Sequence, residues 1–160
     1  MFIVVFSVED IVFIDECGVE DEVRRDRARA KRGTKVYDVK SGKRRKRINV
    51  VAGLWNDKHV AVRCYGHTTT SEFFEEWFEW ELLSVIPEGS VVIMDNASFH
   101  RKGQLCKIAA RYGIVLLFLP AYSPDFNKIE KSWANLKRWL VDNLQRFFSL
   151  DVAIEHYLES

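Results

Sequence analysis

Apolar residues fall along this chain in two rhythms, short unbroken runs and runs spaced three or four residues apart. The unbroken runs are "IVFID" (11–15), "INVVAGLW" (48–55), "HVAVRCY" (59–65), "VVIMD" (91–95) and "IVLLFLP" (114–120). Short apolar runs bounded by polar residues mark buried strands, so five strands are predicted. The second and third flank Asn56, Asp57 and Lys58, a connection of hairpin length. The other rhythm begins at "SEFFEEWFEWELLSVI" (71–86), where Thr69 to Ser71 offer helix caps. It places Phe74, Trp77, Phe78, Leu82 and Val85 on one helical face, leaves Glu72, Glu75, Glu76 and Glu79 elsewhere, and ends at Pro87 and Gly89. A shorter helix is predicted over 101–112, stopped by Gly113. After the "AYSPDFN" turn, Ile129, Trp133, Leu136, Leu140 and Leu144 mark a long amphipathic helix. Strand, hairpin, helix, strand, helix, strand, helix is the order of an α/β domain: a mixed five-stranded sheet flanked by helices.

The 160 residues, 48% of them hydrophobic, suffice for one domain with a full core. The apolar opening "MFIVVFSV" lacks a basic start and a small-residue cleavage site, and Glu9 and Asp10 interrupt it. It is also far shorter than the roughly 20 residues a membrane span requires. Cys17, Cys64 and Cys106 are odd in number and widely spaced, which argues against a disulfide framework. A soluble protein of the cell interior, with no membrane partner, is expected. Cys64 and His67 have a zinc-like spacing, but no second pair accompanies them and no zinc is expected.

Charge changes the picture once it is mapped. Net charge is only +1, yet residues 24–47 hold 13 of the 24 Lys and Arg and two acids, Asp26 and Asp38. That segment carries +11 and the rest of the chain −10. Such asymmetry fits a polyanion-facing segment on an acidic body, or a solvated basic hairpin.

Two acids stand in matching places. Asp15 and Asp95 each follow four apolar residues at the carboxyl end of a predicted interior strand, the edge where open α/β sheets gather their chemistry. If the strands are neighbours, the two carboxylates converge, and their repulsion would raise one pKa and destabilise the fold. A hard divalent cation reverses that penalty, because it binds oxygen ligands and favours their ionised form. Glu130, in the first turn of the last helix, is the candidate third ligand; alone, it could equally close a capping box with Asn127. Glu16, next to Asp15, should point to the opposite face of its strand and is a poor ligand candidate.

The stretches "FIDE", "VVIMDNASFH" and "LLFLPAYSPDFNKIEKSWANLKR" together resemble the catalytic domain of mariner-superfamily DDE transposases, specifically those of bacterial insertion sequences. Asp95 and Glu130 are separated by 34 residues, the spacing typical of that group, and "RGTKVYDVKSGKRRKRINVVAGL" is similar to its basic segment. The resemblance spans nearly all of residues 1–160, as a single catalytic domain. It implies an RNase H-like fold, with Asp15, Asp95 and Glu130 as a metal-binding triad holding two Mg²⁺ (or Mn²⁺) ions that cut DNA and transfer strands. Asn96 and His100 are expected to position substrate or water behind the triad; for His100 a satisfied structural histidine is the competing expectation. Tyr122, Ser123 and Pro124 are expected to fix the turn that aims Glu130.

The resemblance further implies double-stranded DNA partners, transposon ends and target, bound by a homodimer in the bacterial cytoplasm at the nucleoid. Lys43, Arg44, Arg45, Lys46 and Arg47 would lie along the DNA backbone, a track that Lys131, Lys137 and Arg138 extend. Three features depart from the family pattern. The helix-turn-helix region that precedes the catalytic domain in relatives is not matched, so a separately encoded DNA-binding portion, or truncation, is expected. Lys128 stands where many relatives have proline, and Asp26 where many have an aromatic residue. A non-catalytic DNA-binding remnant and another RNase H-like nuclease, acting on RNA–DNA hybrids, are the competing expectations.

Overall fold

The computed structural model describes residues 5–21 and 46–160. Asp26, Lys43, Arg44 and Arg45 lie outside the described residues. Five strands form one sheet: β1 (Ile11–Glu20), β2 (Arg47–Trp55), β3 (Lys58–Tyr65), β4 (Val91–Met94) and β5 (Val115–Phe118), in the order β3-β2-β1-β4-β5. The three consecutive strands pair antiparallel, while β1, β4 and β5 run parallel. The mixed sheet thus follows the element order: a short hairpin reverses the chain, and helical crossovers preserve its direction.

Helices cover both faces. α1 (Ser71–Glu76), continued by a π-helical turn over Trp77–Leu82, and α2 (Lys102–Arg111) pack on the face bearing Val12, Ile14, Val92 and Met94. α3 (Ile129–Asn143) and α4 (Leu150–Glu159) cover the face bearing Cys17, Val50 and Ala52. Ile129, Trp133, Leu136, Leu140 and Leu144 are all buried there, as their spacing predicts. No helix among the described residues is long and apolar enough to cross a membrane.

Three features differ from the sequence expectation. β1 does not end at Asp15: its antiparallel register with β2 continues from Asp15 opposite Ala52 to Glu20 opposite Arg47. Pairing with a long partner strand carries β1 five residues beyond the acid. Secondly, Val85 is 48% exposed, while Leu83 and Ile86 are buried. The Leu83 N–H donates to the Phe78 carbonyl, five residues back, and this wider turn rotates the following residues relative to an α-helix. Glu75 is buried too, where it meets the Arg101 guanidinium, Nε to Oε1 at 3.0 Å. Thirdly, α4 adds a helix after the last one predicted, burying Leu150, Ala153, Ile154 and Leu158.

Trp133 joins the core to a mid-strand acid, lying 3% exposed with its indole N–H donating to Asp15 Oδ2 at 3.0 Å. Trp133→Ala is therefore expected to cost about 3–5 kcal/mol, read as a lowered urea midpoint. A near-neutral melt would place α3 elsewhere.

Candidate active site

The parallel register sets Ile11, Val12 and Phe13 beside Val91, Val92 and Ile93. Asp15 and Asp95 each follow two residues after the last of these pairs, Phe13 beside Ile93. β4 stops at Met94 while β1 runs on, so the sheet opens at this level and leaves room above the two acids. Asp95 and Glu130 line one cleft of about 350 Å³, with Asn96, Pro120, Tyr122 and Asn127 among its walls.

Asp15 carries the electrostatic strain. Burial, followed by the charges of Glu16, Glu130 and Asp95, pushes its carboxyl up to about 8. Asp15 thus senses both other members of the expected triad. Asp95 shows a complementary deficiency: its Oδ1 is buried without a hydrogen-bond partner, although the side chain as a whole is half exposed. His100 Nδ1 lies 3.4 Å from that oxygen, but its hydrogen bond goes to the Asp95 carbonyl, also at 3.4 Å.

Glu130 is delivered by a tightly tied loop. Pro124–Phe126 form a 3-10 turn, and Tyr122 adopts a left-handed backbone, φ +58°. Such a conformation is strained for an aromatic residue and is held only by surrounding structure. Buried Asn127 donates to the Ile14 carbonyl at 3.1 Å and accepts from the Ile129 N–H at 3.3 Å. It pins the start of α3 to β1 one residue before Asp15. The Asn127 N–H is engaged by the Pro124 carbonyl at 3.0 Å, so no capping box with Glu130 forms. The exposed Glu130 carboxylate is left facing the cleft.

Glu16 points away from Asp15, as strand alternation requires, yet it remains part of the site. Its Oε1 lies 3.2 Å from His100 Nε2. Glu16, Asp95 and His100 form the group among the described residues whose ligand-type atoms all lie within 4.8 Å of one another. Asp15 and Glu130 stand outside that compact group. Sequence reasoning passed over Glu16 and gave Asn127 only a capping role. The signals available were the Asp-Glu pair and the asparagine ahead of the last helix.

The remaining candidates are less concentrated. Asn96 is exposed at the cleft. Lys46 and Arg47 are exposed where β2 begins, and the Arg47 side chain lies across Gly18, in space a Cβ there would occupy. Lys131, Lys137 and Arg138 are exposed along α3. Cys64 belongs to the α4 side of the sheet, where burial pushes its thiol up to about 12. His67 instead packs on Tyr65 and Phe73, at 5.0 and 4.7 Å, so this pair does not converge on a zinc position.

A hard divalent cation fits this donor set. Oxygen ligands predominate, one buried carboxylate oxygen of Asp95 lacks a hydrogen-bond partner, and burial together with the neighbouring acids raises the Asp15 carboxyl. Asp95 and Glu130 line the cleft where it could sit, and their charges reach Asp15.

Residues 10–151 match the family described as DDE superfamily endonuclease. No curated protein matches the chain. Among solved structures, the catalytic domain of Mos1 mariner transposase is similar at 16% identity and TM-score 0.65, covering 94% of this chain and 70% of that one. The Mos1 mariner paired-end complex with Mn gives 16% identity and TM-score 0.66, over 95% of this chain and 48% of the other. The catalytic core domain of BIV integrase follows at 10% and 0.55, over 94% and 81%. The chain spans about half the length of the paired-end-complex chain. The shared fold is the RNase H-like core of transposases and integrases.

The raised Asp15 carboxyl sets a pH dependence. Between the ordinary value of 3.8 and about 8, the folded protein holds a proton that the unfolded chain has released. Metal-free stability therefore falls as pH rises through that window. Asp15→Asn, which keeps an oxygen for the Trp133 N–H, should flatten this dependence and melt higher than wild type at neutral pH in chelator. A large loss of stability in Asp15→Asn would make the acid structural.

Proposed function

Because this chain belongs to the DDE superfamily endonucleases, we propose that it severs DNA at transposon ends and joins the freed strands to target DNA. Asp15, Asp95 and Glu130 are its metal-binding acids. The observation that carries this reading is the parallel pairing of β1 with β4, the strands that lead to Asp15 and Asp95, with Glu130 in the same cleft as Asp95. Two divalent ions, Mg²⁺ or Mn²⁺, would supply Lewis-acid charge at the scissile phosphate and lower the pKa of the attacking water. Asp15, whose carboxyl senses both other acids, would hold the ions together with Asp95 and Glu130. Trp133 and Asn127 hold Asp15 and the start of α3 in place, and Asn96 meets substrate at the cleft.

DNA approaches over the carboxyl edge of the sheet. Lys46 and Arg47 stand at that end of the β1–β2 pair, opposite Asp21 and Glu20, and continue the basic segment with Lys43, Arg44 and Arg45. Phosphate contacts of this kind supply affinity without reading sequence and weaken with salt. A Mos1 transposase paired-end complex with the left transposon end and a Mos1 mariner paired-end complex with Mn support DNA and a divalent ion as partners. The chain acts as the catalytic unit of a bacterial insertion-sequence transposase, paired with a second copy on nucleoid DNA in the cytoplasm.

Nicking of supercoiled plasmid tests this reading. Nicks should appear with Mn²⁺ or Mg²⁺, disappear in chelator, and be lost by more than 100-fold in Asp95→Ala, about 2.7 kcal/mol or more of transition-state stabilisation. DNA retention without nicking would instead support a non-catalytic remnant, and preferential cleavage of RNA–DNA hybrids a different nuclease.

A further inference from the structure

Asp95 sits just past the end of β4 with its side chain 51% exposed, a place where a carboxylate would ordinarily sample several rotamers. His100, five residues on, is built differently. Its side chain is 1% exposed, with Phe74 and Phe99 each 4.4 Å away between ring centroids. The segment carrying it is clamped to α1 at two points: Ser71 Oγ donates to the Phe99 carbonyl at 2.6 Å, and Arg101 Nε donates to buried Glu75 at 3.0 Å. The His100 N–H also closes a turn onto the Ala97 carbonyl at 3.0 Å. The imidazole therefore cannot swing.

Both of its nitrogens face carboxyl groups. Nδ1 lies 3.4 Å from Asp95 Oδ1 and from the Asp95 carbonyl, and Nε2 lies 3.2 Å from Glu16 Oε1. Glu16 projects from the rigid middle of β1, paired with Val51 of β2, with a side chain only 15% exposed. A fixed strand thus holds a carboxylate, that carboxylate holds an imidazole, and the imidazole abuts the acid that would bind metal. Partners of this kind orient ligands and tune their basicity.

We propose that Glu16 and His100 are positioning residues that aim the Asp95 carboxylate for cation binding, with Glu16 acting through the imidazole. The proposal rests on the metal-binding role given to Asp95 above. It also accounts for adjacent acids on opposite faces of one strand: Asp15 is spent on the cation, and Glu16 on orienting the other ligand.

Mn²⁺ binding to the intact chain, followed by titration calorimetry, separates the two ideas. Asp95→Asn tests the site and should abolish the binding isotherm. Glu16→Ala tests the positioning and should weaken Mn²⁺ by about 10- to 100-fold, while its metal-free melting transition stays cooperative and near wild type. Glu16→Gln, whose amide oxygen still accepts from the ring, should stay within a few-fold of wild type. If Asp95→Asn binds Mn²⁺ normally, the metal-site reading falls and this proposal with it. Loss in Asp95→Asn with wild-type affinity in Glu16→Ala leaves the site standing and overturns the positioning role. A weakening seen only together with a collapsed metal-free melt assigns Glu16 to folding and also overturns it. Nitrogen coupling to bound Mn²⁺ in electron spin-echo spectra would make His100 a ligand, which overturns it as well.

Discussion

Like charges confined at the place where β4 stops are the constraint around which the rest of this domain is arranged. Asp15 is mid-strand and largely buried, with the charges of Glu16, Glu130 and Asp95 near enough to push its carboxyl to about 8. Such a cluster opposes folding unless the surrounding structure holds it by force. Here that structure is a two-sided core. Trp133 ties Asp15 to α3, Asn127 ties α3 to β1, and the Phe74 ring holds His100 against α1. A divalent cation would turn the same repulsion into binding energy, because each carboxylate that costs stability without the ion becomes a ligand with it.

Strand alternation divides the acids between two tasks. Successive side chains of β1 point to opposite faces, so Asp15 reaches the α3 side while Glu16 reaches His100 on the α1 side. The parallel register of β1 with β4 brings Asp95 close enough for its charge to reach Asp15. The antiparallel register with β2 is equally consequential, because it lets β1 continue past Asp15 and project Glu20 and Arg47 beyond the site. An open edge on one side and a paired edge on the other make the cleft.

The fold was largely legible in the chain. Strands at 48–55, 59–65 and 91–95, the hairpin at Asn56–Asp57, and the α3 stripe through Trp133 and Leu140 follow from apolar spacing alone. Other features did not follow for identifiable reasons. The π-helical turn after Glu76 is a choice between two similar hydrogen-bond patterns, and it exchanged exposed Val85 for buried Leu83 and Ile86. The spacing of Leu150, Ala153, Ile154 and Leu158 was helical all along, but the ten-residue run of α4 is too short to stand out without the sheet it covers.

What the chain determined alone was the identity and order of its parts: which runs are strands, which stripes are helices, and that two acids follow apolar runs while a third opens a helix. Those properties are local, set by side-chain periodicity and by neighbours a few residues away. Only tertiary structure decided which acids meet, how far Asp15 departs from an ordinary carboxyl, and that Glu16 reaches the ring of a histidine 84 residues further along the chain. Register, strand termination and burial are properties of the assembled sheet, and no single segment carries them. Electrostatic strain at a site is therefore the last thing a sequence reveals, since it depends on distances that exist only after the chain has closed.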